Sequence, residues 1–171
     1  MVNRHEVLRT SFPEVGDGTI QDIAAEMEVP FAAAEIREDE LDEVLREQAR
    51  RPFDLSHGPL IRASLFRISS QDHVLLVVMH HIVSDGWSLG VMLREFNALY
   101  DAFSRGAASP LQPLAIQYAD YSEWQREWLQ GEVLERQLDY WRKQLAGHET
   151  LNLPTDRPYS AKPTLAGAME T

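Results

Sequence analysis

The chain has 171 residues, 44% of them hydrophobic and 25% charged, with a formal net charge of −11 and no cysteine. That size and balance fit one soluble globular domain able to bury a core, while the acidic surplus argues against a nucleic-acid partner and against docking on anionic lipid. The absence of cysteine leaves no disulfide framework and no thiol nucleophile.

Residues 8–12 read as the exit from a helix into a strand. Gly16-Asp17-Gly18 signals a turn, with residues 19–23 returning as the hairpin partner. Residues 31–36 form a weaker strand candidate. Residues 38–50 predict a helix, because Asp39 and Glu40 fall in its first turn and Leu41, Val44, Leu45 and Gln48/Ala49 share one side. Pro52 ends it. Residues 60–68 and 73–80 predict two sheet strands joined by the polar turn Ser69-Ser70-Gln71-Asp72. Past Gly86, Leu89, Met92, Leu93, Phe96, Leu99, Tyr100 and Phe103 recur at helical spacing up to Gly106. A linker over residues 107–113 leads to two further helices, 118–129 and 132–145. Residues 147–171 are expected to be a loop or tail, since Pro154, Pro158 and Pro163 interrupt regular structure.

The longest wholly apolar run, residues 74–79, is far too short to span a bilayer. The opening residues lack the basic-then-apolar layout of a signal peptide. A cytoplasmic protein without membrane attachment is expected. The row Tyr118, Tyr121, Trp124 and Trp128 has the spacing of a helix–helix contact rather than of a cofactor box.

The chemistry concentrates in His80-His81-Ile82-Val83-Ser84-Asp85-Gly86-Trp87-Ser88, where a strand gives way to a loop and then a helix. Histidine titrates nearest neutrality and so handles protons at cellular pH. Neighbouring strand residues face opposite ways, so His80 and His81 do not share one site. Asp85 has two readings, as the N-cap of the following helix or as a partner that orients an imidazole or pairs with an arginine. Gly86 suits a positive φ or a backbone that must approach a substrate closely. A metal site is disfavoured, because adjacent strand histidines diverge and His5, His57, His73 and His148 are scattered.

Four segments in order carry a family resemblance. The stretch His80 to Ser88 is similar to the HHxxxDG motif of condensation domains from nonribosomal peptide synthetases, in the chloramphenicol acetyltransferase-like superfamily. Arg4-His5-Glu6-Val7-Leu8-Arg9-Thr10-Ser11-Phe12 matches RHExLRTxF. Residues 51–63, RPFDLSHGPLIRA, resemble PFDLxxGPLxRA. Residues 118–125, YADYSEWQ, resemble YxDYAxWQ. The resemblance implies an α+β fold, a two-layer α/β sandwich in which helices pack on a mixed sheet. It covers residues 1–171 as most of the N-terminal lobe of a partial condensation domain, with the tail leading towards the other lobe.

The implied activity is amide formation between a carrier-bound aminoacyl or peptidyl thioester donor and a carrier-bound aminoacyl acceptor. No cofactor is bound directly, since the phosphopantetheine arms belong to donor and acceptor peptidyl carrier domains, and adjoining adenylation domains are further expected partners. His81 is implied as the catalytic residue, either base or positioner, with His80, Asp85 and Gly86 in support. Arg4 is the first candidate for an ion pair with Asp85 and Arg62 the second. No nucleophilic serine is implied, because no GxSxG elbow accompanies Ser84 or Ser88. Three alternatives remain: a related CoA- or carrier-dependent acyltransferase, an epimerisation domain, and an inactive carrier-docking fragment.

Overall fold

The computed structural model describes residues 1–149, 151, 153–156 and 158. The chain divides into two compact units, Met1–Arg126 and Glu127–Thr171.

The first unit opens on a single 3₁₀ turn, Glu6–Arg9, and not on the end of a longer helix. Strand β1 (Thr10–Ser11) follows, then β2 (Glu14–Val15), β3 (Gly18–Thr19) and β4 (Asp22–Ile23). The expected hairpin forms in two pieces: β2 pairs with β3 around Gly16, and β1 pairs with β4. Pro13 separates the pieces, because it has no N–H to give the ladder. Its carbonyl still accepts from the Ile20 N–H at 3.1 Å. Gly16, with φ 61°, supplies the left-handed residue the turn requires.

Next come β5 (Phe31–Glu35), α1 (Glu38–Arg50), β6 (Ile61–Arg67) and β7 (His73–Met79). They build a mixed sheet of order β5-β6-β7, with β5 parallel to β6 and β6 antiparallel to β7. The parallel pair needs a crossover, and α1 provides it. Glu38, Asp39 and Glu40 place negative charge at the positive end of α1. The turn between β6 and β7 is closed by the Ile68 N–H on the Asp72 carbonyl (2.9 Å) and by the Ser69 hydroxyl on the Asp72 carboxylate (2.7 Å).

Leu8, Leu60, Ile61 and Val83 form the buried core, with Phe12, Val29, Phe53, Leu55, Val77 and Met79 packed against it. Helix α2 (Gly86–Ser104) follows β7, and α3 (Tyr118–Trp128) belongs to the unit up to Arg126. Along α3, the rings of Tyr118, Tyr121 and Trp124 follow one another, each tilted 39° to the next, with centroids 6.0 and 5.7 Å apart. The strands and helices together give the α+β arrangement that the sequence points to.

In the second unit α4 (Gly131–Gln144) carries Glu132 in its first turn and Arg142 and Lys143 in its last, matching the helix dipole. Arg142 pairs with Asp139 at 3.1 Å one turn earlier. Much of the tail expected over residues 147–171 lies outside the described residues, and those described there belong to no helix or strand.

Candidate active site

The sheet delivers the histidine pair to the point where β7 ends. The His80 N–H donates to the Leu60 carbonyl (3.0 Å), extending the β6–β7 ladder by one residue. The Val83 N–H then donates back to the His80 carbonyl (3.1 Å), closing a turn. Val83 is 5% exposed and pins that turn to Leu8, Leu60 and Ile61.

The two imidazoles have different surroundings. His80 is half-buried, with its ring perpendicular to Phe53 (86°) at a centroid distance of 6.1 Å. Its Nδ1 accepts from the Ile82 N–H at 3.1 Å. A backbone N–H only donates, so this nitrogen is unprotonated and the neutral ring carries its hydrogen on Nε2. His81 is exposed and makes no hydrogen bond among the described residues. It is the one of the pair whose ring nitrogens remain available.

Asp85 caps α2. One carboxylate oxygen accepts from the Ser88 N–H (2.8 Å) and the Ser88 hydroxyl (2.6 Å). The arginine partner expected for it does not form. Arg4 is committed elsewhere, with Nε on Glu95 at 3.0 Å and Nη1 on the Gln112 carbonyl. Arg62 donates from Nη2 to the carbonyls of Gln48 (2.8 Å) and Arg51 (2.5 Å) and lies over the Phe53 ring at 4.0 Å. The physical reason is local: the first turn of α2 has unpaired N–H donors beside Asp85, and a carboxylate satisfies them without reaching across the lobe.

The Ser88 hydroxyl and then the Ser88 N–H hold the Asp85 carboxyl below the usual aspartate range, and the charge of His81 adds a smaller pull. A carboxyl depressed in the folded state stabilises above its ordinary value and loses that contribution as pH falls through the depressed one. Asp85→Asn, which keeps a capping oxygen, is therefore expected to flatten the acid limb of a Tm-versus-pH curve and leave the neutral plateau in place. An unchanged acid limb would remove the charge from the cap.

Gly86 does not use the left-handed freedom considered for it. It is the first residue of α2, is absent from the positive-φ glycines, and a Cβ there would meet no atom within 4 Å. Packing within this chain gives no reason for glycine. Gly86→Ala is expected to raise stability by about 0.5 kcal/mol in urea unfolding, from backbone entropy alone. A loss of stability would mean that the position is crowded after all.

Two features escaped the sequence reading. The first is a charged cluster behind the motif. Glu95, on α2, accepts from Arg4 Nε and lies 2.6 Å from His5 Nε2, with side-chain exposures of 12% for Glu95 and 20% for each partner. Burial alone would raise the Glu95 carboxyl, but the hydrogen bonds from His5 and Arg4 outweigh it and hold the group below its ordinary value. Gln117 ties the same segment down, donating to the Arg4 carbonyl (3.0 Å) and accepting from the Glu6 N–H (3.1 Å). A signal for Glu95 was present: with Met92, Leu99 and Ala102 it has the three- and four-residue spacing of an inward helix face, so a carboxylate there demands cations. The second is Phe53, which lies in the RPFDLSHGPLIRA segment but whose contacts with Arg62 and His80 no spacing expresses.

Beside the motif lies a mainly apolar cavity of about 550 Å³, lined by Met79, Val83, Trp87, Val91 and Met92 among others. Among the described residues no cluster of His, Asp or Glu has the geometry to hold a metal ion, and no helix is long and apolar enough to cross a membrane.

Comparison with known proteins places the chain in a family. Residues 1–170 match the condensation domain model, and the chain belongs to that family. It is 46% identical to a linear gramicidin synthase of Brevibacillus parabrevis, over 100% of this chain and 2% of that protein. It is 44% identical to malpinin synthetase of Mortierella alpina, over 98% of this chain and 2% of that protein. Among solved structures, the teicoplanin-biosynthesis X-domain in complex with OxyB superposes with a TM-score of 0.86 at 36% identity, over 95% of this chain and 37% of the other. The epimerization domain from the third module of tyrocidine synthetase B shares the fold, with a TM-score of 0.81 at 24% identity over 93% of this chain and 37% of the other. The chain thus spans a small part of those synthetases and about two-fifths of the structural neighbours.

Proposed function

We propose that these residues supply the histidine-bearing half of a site that joins two carrier-bound amino acids during nonribosomal peptide synthesis in the cytoplasm. One observation carries the reading: in a chain of the condensation family, the imidazole of His81 stands exposed just past the end of β7, without a hydrogen bond among the described residues, on a turn fixed by the His80 carbonyl and the buried Val83.

The donor is an aminoacyl or peptidyl thioester on one phosphopantetheine arm, and the acceptor is an α-amine on another. The amine lone pair attacks the thioester carbonyl carbon, the C–S bond breaks, and the amide forms as the donor arm leaves as a thiol. The attacking nitrogen must lose a proton and the departing sulfur must gain one. A free α-amine has an ordinary pKa of about 8, so a positioned base that keeps it neutral is useful at cellular pH. The free nitrogen of His81 is the group able to accept or orient that proton. His80 cannot substitute at Nδ1, which is engaged with the Ile82 N–H. The open space where a Gly86 side chain would lie leaves room for a thioester arm, so Gly86→Ala should slow the reaction despite its gain in stability.

The test is amide formation from two loaded carrier proteins by a complete condensation domain bearing these residues. The reading expects the donor residue to appear on the acceptor carrier. Transfer from a CoA thioester alone would instead favour the related acyltransferases, and loss of α-deuterium from one carrier-bound residue would favour epimerisation. A second reading, docking without bond formation, is favoured by the X-domain, which was solved as a complex with OxyB. It predicts carrier or partner binding that persists with no amide made.

A further inference from the structure

We propose that Arg62 is a positioning residue for the histidine pair and acts through Phe53. Arg62 stands on β6 in register with Val78, two residues before His80. Its Nη2 is anchored to the carbonyls of Gln48 and Arg51, where α1 ends. Those carbonyls have no partner within the helix and sit at the negative end of its dipole, so a guanidinium is held there by both hydrogen bonding and charge. Pro52 stops the helix from continuing past them.

Anchored in this way, the guanidinium carbon lies 4.0 Å from the centre of the Phe53 ring. A planar cation over an aromatic face restrains the ring and is favoured by the ring quadrupole. Phe53 in turn stands perpendicular to the His80 imidazole. An imidazole free to flip by half a turn would exchange Nδ1 for a carbon and lose the Ile82 N–H. Phe53 is the wall that opposes the flip.

The Ile82 bond belongs to the same turn that presents His81. The sequence of contacts from the end of α1 through Arg62, Phe53 and His80 therefore fixes the backbone on which the available imidazole stands. Arg62 Nε is buried and has no partner, so the residue is not held by every bond it can make. Its geometry is set by the two carbonyls and the ring, a combination that lysine, as a point charge on a flexible stem, does not reproduce.

The catalytic consequence rests on the acyl-transfer reading, but the structural one does not. Nitrogen NMR of the ¹⁵N-histidine-labelled chain, at about pH 8 where an ordinary imidazole is neutral, reads the His80 tautomer directly. The wild type should show one unprotonated nitrogen, Nδ1, and one protonated nitrogen, Nε2. In Arg62→Lys and in Phe53→Leu these two signals should move towards each other as the tautomers mix, with the Ile82 amide shifting alongside.

Phe53→Leu leaves the Arg62 anchor to α1 in place, so it decides the matter if the lysine variant folds poorly. In the complete domain both variants should lower kcat by roughly 10- to 100-fold with little change in KM, the signature of a displaced group and not of lost binding. An unchanged His80 spectrum in folded Phe53→Leu would overturn the inference and leave Arg62 as a cap for α1 alone. Mixed tautomers with no change in kcat would keep the positioning of His80 and count against the acyl-transfer reading of this turn.

Discussion

Glu95→Ala should lower the stability of this chain by about 3 kcal/mol, because it leaves the half-buried Arg4 guanidinium without its carboxylate and the His5 imidazole without its hydrogen-bond partner. Arg4 and His5 both terminate on Glu95, and all three side chains are largely shielded from solvent, so screening does little to soften the loss. Glu95→Gln should cost less, since the amide oxygen still accepts one hydrogen bond. For a chain of this length the alanine variant should melt roughly 10 °C lower.

The effect has a direction in pH as well. Glu95 is held below its ordinary value in the folded state, against the opposing effect of burial. Its contribution is therefore present above the usual glutamate range and is lost as pH falls through the depressed value. Wild type and Glu95→Ala should converge in Tm under acid conditions and separate towards neutrality. A constant offset across that range would show that the cluster works by packing alone.

Much of this fold was legible in the residues. β7 is a short run of Val, Leu and Met between polar ends, and α2 repeats apolar residues every three or four positions, so both were readable from period alone. The crossover helix α1 announced itself through acids at its start and Pro52 beyond its end. Where local rules compete, legibility falls. The opening hairpin is divided because Pro13 withholds a donor, a constraint that turn signals at residues 16–18 do not express.

The site was legible in its residues and less so in its partners. Strand alternation was the stated reason for His80 and His81 to diverge, but both lie past the end of β7, where the turn gives them different surroundings, and nothing in the spacing showed which imidazole packs on Phe53. Asp85 had a local solution in the Ser88 N–H and hydroxyl three residues away. The reading across the chain, towards Arg4 or Arg62, underweighted that local competition. Arg4 belongs to Glu95, and the arginine motif at the start of the chain is thereby explained as a clamp on α2 and not as a partner of its cap. The helix that carries the cap and the segment that carries Arg4 and His5 are nevertheless one unit, joined at Glu95.

The second large effect is on the reaction. His81→Ala removes the one imidazole of the pair that has no hydrogen bond among the described residues, on an exposed turn where truncation leaves no cavity in the core. The variant should therefore fold with unchanged stability while losing the group proposed to handle the proton, a change worth roughly 10²- to 10⁴-fold in rate for a positioned base. Retention of folding separates this variant from Glu95→Ala, whose loss of activity would follow from unfolding. The decisive measurement is the single-turnover rate of amide formation between two loaded carriers by a complete condensation domain with these residues, wild type against His81→Ala. The account predicts a rate lower by at least about 10²-fold in a variant that melts where the wild type does, and equal rates in the two proteins would contradict it.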